Sequence, residues 1–233
     1  MCRKFLFIVT IIFVILPVGV ACTRRHAADK PLSQVLREKR IAVPHGEKTA
    51  LPLEAEENAT QAETMYQGIP VGIDADHRPY IGSEAPSCVI HVFLDLQCPY
   101  CQVAHAKILQ WARIYGREVR FVYYHFPLSF HPYALHYARM AVCAVYMGRF
   151  WSMIHALFHT GMQKLDERAM ARRFGLDENP WVTCLMSREV QAVIDDDIAK
   201  GNRLQIYGTP TFVVDEKLMD MNEIQVYLET RFP

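Results

Sequence analysis

The residues of this 233-residue chain whose types and spacing most directly permit chemistry are Cys98-Pro99-Tyr100-Cys101. A Cys-x-x-Cys pair can close into a small disulfide ring, reopen by thiolate attack, or supply half of a tetrahedral metal site. Thiolate chemistry needs a place where the anion is stabilised. The first turn of a helix is such a place, because its N–H groups lack intrahelical partners and the helix dipole favours negative charge. Pro99 suits that turn, since its missing N–H costs nothing there and its fixed φ is already helical. By itself the spacing fits a redox pair, half of a zinc or iron–sulfur site, or two structural cysteines. Cys88, His91 and His105 lie near enough in sequence to keep the metal reading open.

The pair must be held by the elements around it. Residues 87–96 are nearly all apolar, as in a strand covered on both faces. Residues 101–114 then read as a helix with Val103, Ile108, Leu109 and Trp111 turned inward, ended by Gly116 and followed by a strand over 119–124. Strand, helix and strand in that order predict a βαβ unit. Upstream, 69–73 reads as a short edge strand before a turn at 74–79. Downstream, apolar recurrence predicts helices over 132–147, 150–158, 166–174 and 181–200, with Gly148, Gly175 and Gly201 at or just beyond three of their ends. A strand at 211–215 paired with 217–219, then a helix over 222–231, completes the chain.

Composition narrows the function. The chain is 51% apolar and balances 25 basic against 25 acidic residues, so no polyanion, and no nucleic acid, is expected as partner. Seven cysteines suit an oxidising compartment. Arg3 and Lys4 precede an apolar run over 5–21, and Arg24, Arg25 and His26 follow it. That pattern is a signal peptide, and its length also allows a retained membrane anchor. Cys22, after Gly19-Val20-Ala21, resembles the lipidated cysteine of bacterial lipoproteins, although Gly19 departs from the usual aliphatic residue. Either way the body is expected in the periplasm or on the extracytoplasmic face of the membrane. Between them, residues 22–79 read as a spacer broken by Pro31, Pro44, Pro52 and Pro70, with short helices over 28–38 and 54–65.

Cys98-Pro99-Tyr100-Cys101 after a strand, Gly208-Thr209-Pro210-Thr211-Phe212 before a late strand, and the helices between them resemble the DsbA-like branch of the thioredoxin-fold disulfide oxidoreductases. Phe126-Pro127-Leu128 with His131-Pro132, and Gly148-Arg149-Phe150-Trp151, extend the likeness over most of 80–233. The resemblance implies an α/β thioredoxin-like fold with a helical insertion at about 129–202. It implies an exposed, attacking Cys98 and a buried, resolving Cys101, tuned by Pro99 and Tyr100; Tyr100 stands where strong oxidases of the family have histidine. It further implies a cis proline at Thr209-Pro210 facing the pair, whose backbone can receive an extended client strand. Val92 and Phe93 offer no carboxylate where some members keep a buried glutamate. Asp95 is left with two readings, an inward one acting on Cys101 and one at the helix start or the surface. Members similar to this chain place cysteines where Cys143 and Cys184 stand, implying a structural disulfide, with Cys88 a core thiol. The implied activity is thiol:disulfide exchange with no cofactor or metal, oxidising exported client proteins in concert with a membrane or periplasmic redox partner. Isomerase or reductase activity is the first alternative, and extracytoplasmic metal handling or binding the second.

Overall fold

A computed structural model describes residues 63–233. The signal or anchor segment 1–21, Cys22, most of the spacer and the helix expected over 28–38 lie outside the described residues. Of the helix expected over 54–65 only the end is described, and there Met65 belongs to a strand.

Seven strands form one sheet in the order β1-β2-β3-β5-β4-β6-β7. The strands are β1 (Met65–Tyr66), β2 (Ile69–Ile73), β3 (Pro79–Gly82), β4 (Cys88–Leu94), β5 (Val119–His125), β6 (Thr211–Val214) and β7 (Lys217–Met219). At its centre β4 runs parallel to β5 and antiparallel to β6. The continuous apolar run of β4 follows from that place, since both its faces are covered. Ile90, Val92 and Leu94 join the core beneath the first helix, whereas Phe93 packs with Tyr124, Phe126 and Val213 on the opposite face. One expectation fails nearby, and one strand goes unread. The strand at 69–73 is flanked by β1 and so is not an edge, and β3 was hidden by the proline and glycine at its ends. At Gly82, φ is +113° and an added Cβ would lie 2.3 Å from the Val119 carbonyl oxygen, so the close approach of β3 to β5 requires glycine.

Helix α1 (Pro99–Tyr115) connects β4 to β5 and packs against that sheet through Cys101, Ala104, His105, Ile108 and Trp111. Val103 is 49% exposed, contrary to expectation, because the buried stripe runs through 101, 104, 105 and 108 and leaves 103 outside it. The chain then builds five helices between β5 and β6: α2 (Ala134–Tyr146), α3 (Phe150–Phe158), α4 (Glu167–Arg173), α5 (Glu178–Leu185) and α6 (Arg188–Arg203). The single helix expected over 181–200 is therefore two. Ser187 caps the second by accepting the Val190 N–H on its hydroxyl, which breaks the apolar recurrence into separate helices. Gly201 lies inside α6 and does not end it; a Cβ there would meet the Phe126 ring at 2.5 Å, so glycine lets the helix lie close on the sheet. Asp197 of α6 is fully buried and accepts both the Arg78 guanidinium and the His125 N–H, which holds α6 against β5. Cys143 of α2 and Cys184 of α5 are joined as a disulfide with their Cα atoms 5.9 Å apart. Helix α7 (Met221–Arg231) closes the chain, started by a capping box between Asp220 and Glu223.

Candidate active site

The site forms where β4 ends and α1 begins. Cys98 is the N-cap of α1, with φ −73° and ψ 121°, and Pro99 opens the helix. The Cys98 carbonyl accepts the N–H groups of Cys101 and Gln102 at 3.0 and 3.1 Å. This is the strand-to-helix junction that the spacing calls for, and it turns the Tyr100 N–H, and the Cys101 N–H shared with the Cys98 carbonyl, toward the Cys98 sulfur.

The two sulfurs differ sharply. Cys98 Sγ lies 3.4 Å from the Thr209 carbonyl oxygen, to which its thiol donates. The Cys98 pKa is lowered to about 5, first by the Cys101 thiol, then by the N–H groups of Cys101 and Tyr100 and the Thr209 hydroxyl, with burial acting the other way. Thr209 Oγ1 has no other hydrogen-bond partner among the described residues, which leaves it available to a Cys98 thiolate. Cys101 is fully buried, and burial, followed by the nearby Cys98, holds its thiol well above the ordinary value. One sulfur is therefore an anion at neutral pH and its neighbour a thiol, the division of labour that disulfide exchange requires.

Cys98 is less open than the resemblance implies. The residue is 5% exposed, because the loop carrying the cis Thr209-Pro210 peptide bond comes over it. Exposure passes to its surroundings: Tyr100, Phe130 and Tyr207 present exposed aromatic rings on the helix start, on the loop after β5 and on the approach to Thr209. Pro99, Tyr100, Thr209 and Pro210 are thus gathered with the cysteine pair. Cys143 and Cys184 are placed elsewhere, among the helices.

Asp95 combines parts of its two readings: it is buried, not on the surface, but its carboxylate serves the helix entry and the loop after β5, and only its backbone N–H reaches Cys101. It is 1% exposed; its N–H donates to Cys101 Sγ at 3.4 Å, while its carboxylate accepts the Gln97 N–H, the Leu128 N–H and His131 Nδ1 at 2.8, 2.8 and 2.7 Å. Gln97 Oε1 accepts the Tyr133 N–H at 2.6 Å. These bonds strap the loop after β5 to the turn that carries the cysteines. Leu128 and His131 belong to motifs already visible in the sequence, but their role was not, because it depends on partners over thirty residues away. The metal reading finds no geometry to support it. Among the described residues, no three His, Cys, Asp or Glu side chains converge so as to hold an ion. His91 and Cys88 point to opposite faces of β4: His91 lies against the Tyr124 ring, and Cys88 meets Tyr227 Oη at 3.6 Å.

Residues 74–229 match the thioredoxin family. Among solved structures, a thioredoxin-like oxidoreductase from Silicibacter pomeroyi is 27% identical; the match covers 66% of this chain and 91% of that one, with a TM-score of 0.57. DsbA2 from Pseudomonas aeruginosa (24% identical, 65% and 92% covered, TM-score 0.54) and BdbD from Bacillus subtilis (20%, 66% and 91%, TM-score 0.53) share the fold. A curated relative, the Na(+)/H(+) antiporter NhaA 3 of Salinispora tropica, is 34% identical over 153 residues, 63% of this chain. The chain spans only about a fifth of the length of such relatives (22%), so the likeness concerns one segment of them. Fold, motif and family agree: the chain belongs to the thioredoxin family.

Proposed function

We propose that this protein oxidises cysteine pairs in exported client proteins, by exchange at Cys98-Cys101. The observation that carries the reading is the inequality of the two thiols. A Cys98 thiolate held at about 5 stabilises the reduced dithiol, and stabilising the reduced form makes the disulfide a stronger oxidant. A client thiolate attacks Cys98 Sγ of the closed pair, and the Cys98–Cys101 bond breaks with its electrons going to Cys101. A second client thiolate then attacks the client sulfur in the mixed disulfide, and Cys98 leaves as the favoured anion. The client gains a disulfide and the enzyme retains two thiols. The exposed Tyr100, Phe130 and Tyr207 rings, carried by the helix start and by the two loops bonded to the turn of the covered sulfur, suit recognition of unfolded chain rather than of a small thiol.

The site is read as working outside the cytoplasm, on the support of the N-terminal signal pattern and the cysteine content. Among the described residues, no helix is long and apolar enough to cross a membrane. A membrane or periplasmic oxidant must regenerate the disulfide, because each turnover leaves the pair reduced. The test is to mix the oxidised protein with a reduced, unfolded dithiol protein and follow client disulfides by mass spectrometry. One client disulfide should form per enzyme disulfide consumed, and none with Cys98→Ala. Client reduction by the dithiol form, with no client oxidation by the disulfide form, would assign a reductase instead.

A further inference from the structure

Whenever Cys101 resolves a mixed disulfide it must first lose a proton, yet it sits in an apolar core. Val92 brings no carboxylate to that core, and the Asp95 carboxylate is engaged by Gln97, Leu128 and His131. Two other polar side chains enter on the face that Cys101 occupies. His105 follows Cys101 by four residues, one helical turn, so both project from the same side of α1, and both are buried. Tyr123 stands on β5 beside Val92, is also buried, and places its Oη 3.1 Å from His105 Nδ1. Past His105 come His155 of α3 and His159 at its C-terminal cap, with ring centroids 6.0 Å and then 4.5 Å apart. The three imidazoles are buried, half-buried and exposed in that order. His105 Nε2 and His155 Nδ1 are buried atoms with no hydrogen-bond partner among the described residues. Buried polar atoms are ordinarily paired, so two such nitrogens on neighbouring rings require an explanation.

We propose that Tyr123, positioned by His105, carries the Cys101 proton out of the core, and that His155 delivers it to solvent. The inference rests on the thiol:disulfide reading above. As Cys101 Sγ attacks Cys98 Sγ of a mixed disulfide, the Cys98–Cys101 bond forms, the bond from Cys98 to the client sulfur breaks, and the client leaves as a thiolate. The Cys101 proton passes to Tyr123 Oη, the phenolic proton to His105 Nδ1, and the His105 Nε2 proton to His155 and water. When a client attacks the closed pair, Cys101 leaves as a thiolate and is protonated along the same route inward.

A neutral imidazole has one bare nitrogen and one N–H, so it relays a proton without leaving a charge in the core. The surroundings keep His105 neutral: burial foremost, then His155 and His159, push it down to about 3. The groups facing this path are Cys101 on α1, Tyr123 on β5, His155 on α3, His159 at the C-terminal cap of α3, and Tyr66 on β1, which itself feels Glu63 and Arg113. Cys101 and Tyr123 share one buried cluster, and Tyr123, raised first by burial and then by Tyr66, is raised further by charge on Cys101, so the first two members of the path sense one another.

The test times the resolution of a glutathione mixed disulfide on Cys98, read as the concentration-independent phase after oxidised glutathione meets the reduced protein. Tyr123→Phe keeps the ring in the core and removes one oxygen; His105→Gln and His155→Gln probe the next two steps. At neutral pH the Tyr123 and His105 variants should resolve about a hundredfold more slowly, and His155→Gln less so, with all converging on the wild type at alkaline pH, where hydroxide takes the proton. Wild-type rates at neutral pH, or slowing by the same factor at every pH as a packing defect would give, overturn the relay. Failure of the wild type to form a reversible Cys98–Cys101 bridge would overturn the underlying reading as well, so the two failures are distinguishable.

Discussion

Two pairs of cysteines lie within this fold, and they show what makes a disulfide reactive. Cys98 and Cys101 are three residues apart at the start of α1, in a first turn whose Tyr100 and Cys101 N–H groups face the Cys98 sulfur. Cys143 and Cys184 are 41 residues apart, in the second half of α2 and of α5, where the backbone N–H groups are consumed by the helices. The first site stabilises a thiolate on one sulfur and opposes it on the other. The second offers no such asymmetry and joins two helices otherwise held by packing and by the Arg139 guanidinium, which donates to the Leu185 carbonyl. Position on a helix, more than burial, separates the proposed exchange pair from the Cys143–Cys184 disulfide, since Cys98, Cys101 and Cys143 are all buried.

The comparison can be broken most forcefully at the structural pair. Replacing Cys143 and Cys184 together by alanine should cost about 4 kcal/mol in the chain-entropy model for a loop of this size, read as a lowered midpoint in urea. Exchange at Cys98 should survive in the folded fraction; its loss would show that the two pairs are coupled. A smaller effect sharpens the contrast at the reactive pair. Cys98, at about 5, lies below an ordinary thiol at 9.0, so its anion favours the folded reduced protein. That contribution is fully present above the ordinary value and is lost as pH falls through about 5. Titration by thiolate absorbance should therefore find one group near pH 5 that Cys98→Ala removes, and a neutral-pH thiolate population about a hundredfold that of an ordinary cysteine. Smaller still, Asp95→Ala should destabilise by about 2 kcal/mol, because it strands the Gln97 and Leu128 N–H groups, and amide exchange should quicken at both.

Much of this was legible in the sequence, and its gaps have physical causes. The run through Val92 and Leu94 announced a central strand because burial on both faces leaves no polar alternation, and Pro99 between the cysteines announced a helix start. Pro79 and Gly82 concealed β3, since residues that usually interrupt strands begin and end it. Gly201 imitated a helix terminus while serving a close contact with Phe126. The hub at Asp95 and the contact of His105 with Tyr123 were out of reach for another reason. Each joins segments distant in sequence, and local periodicity carries no information about which polar groups meet in the folded core.

The most direct measurement of the central claim is equilibration of the whole protein with graded glutathione buffers, followed by acid quenching and mass spectrometry of the four cysteines. The account predicts that Cys98–Cys101 opens and closes reversibly, and that its dithiol persists in buffers oxidising enough to close an ordinary protein disulfide, while Cys143–Cys184 stays closed throughout. A Cys98–Cys101 bridge that never forms, or one that resists reduction as firmly as Cys143–Cys184, would contradict it.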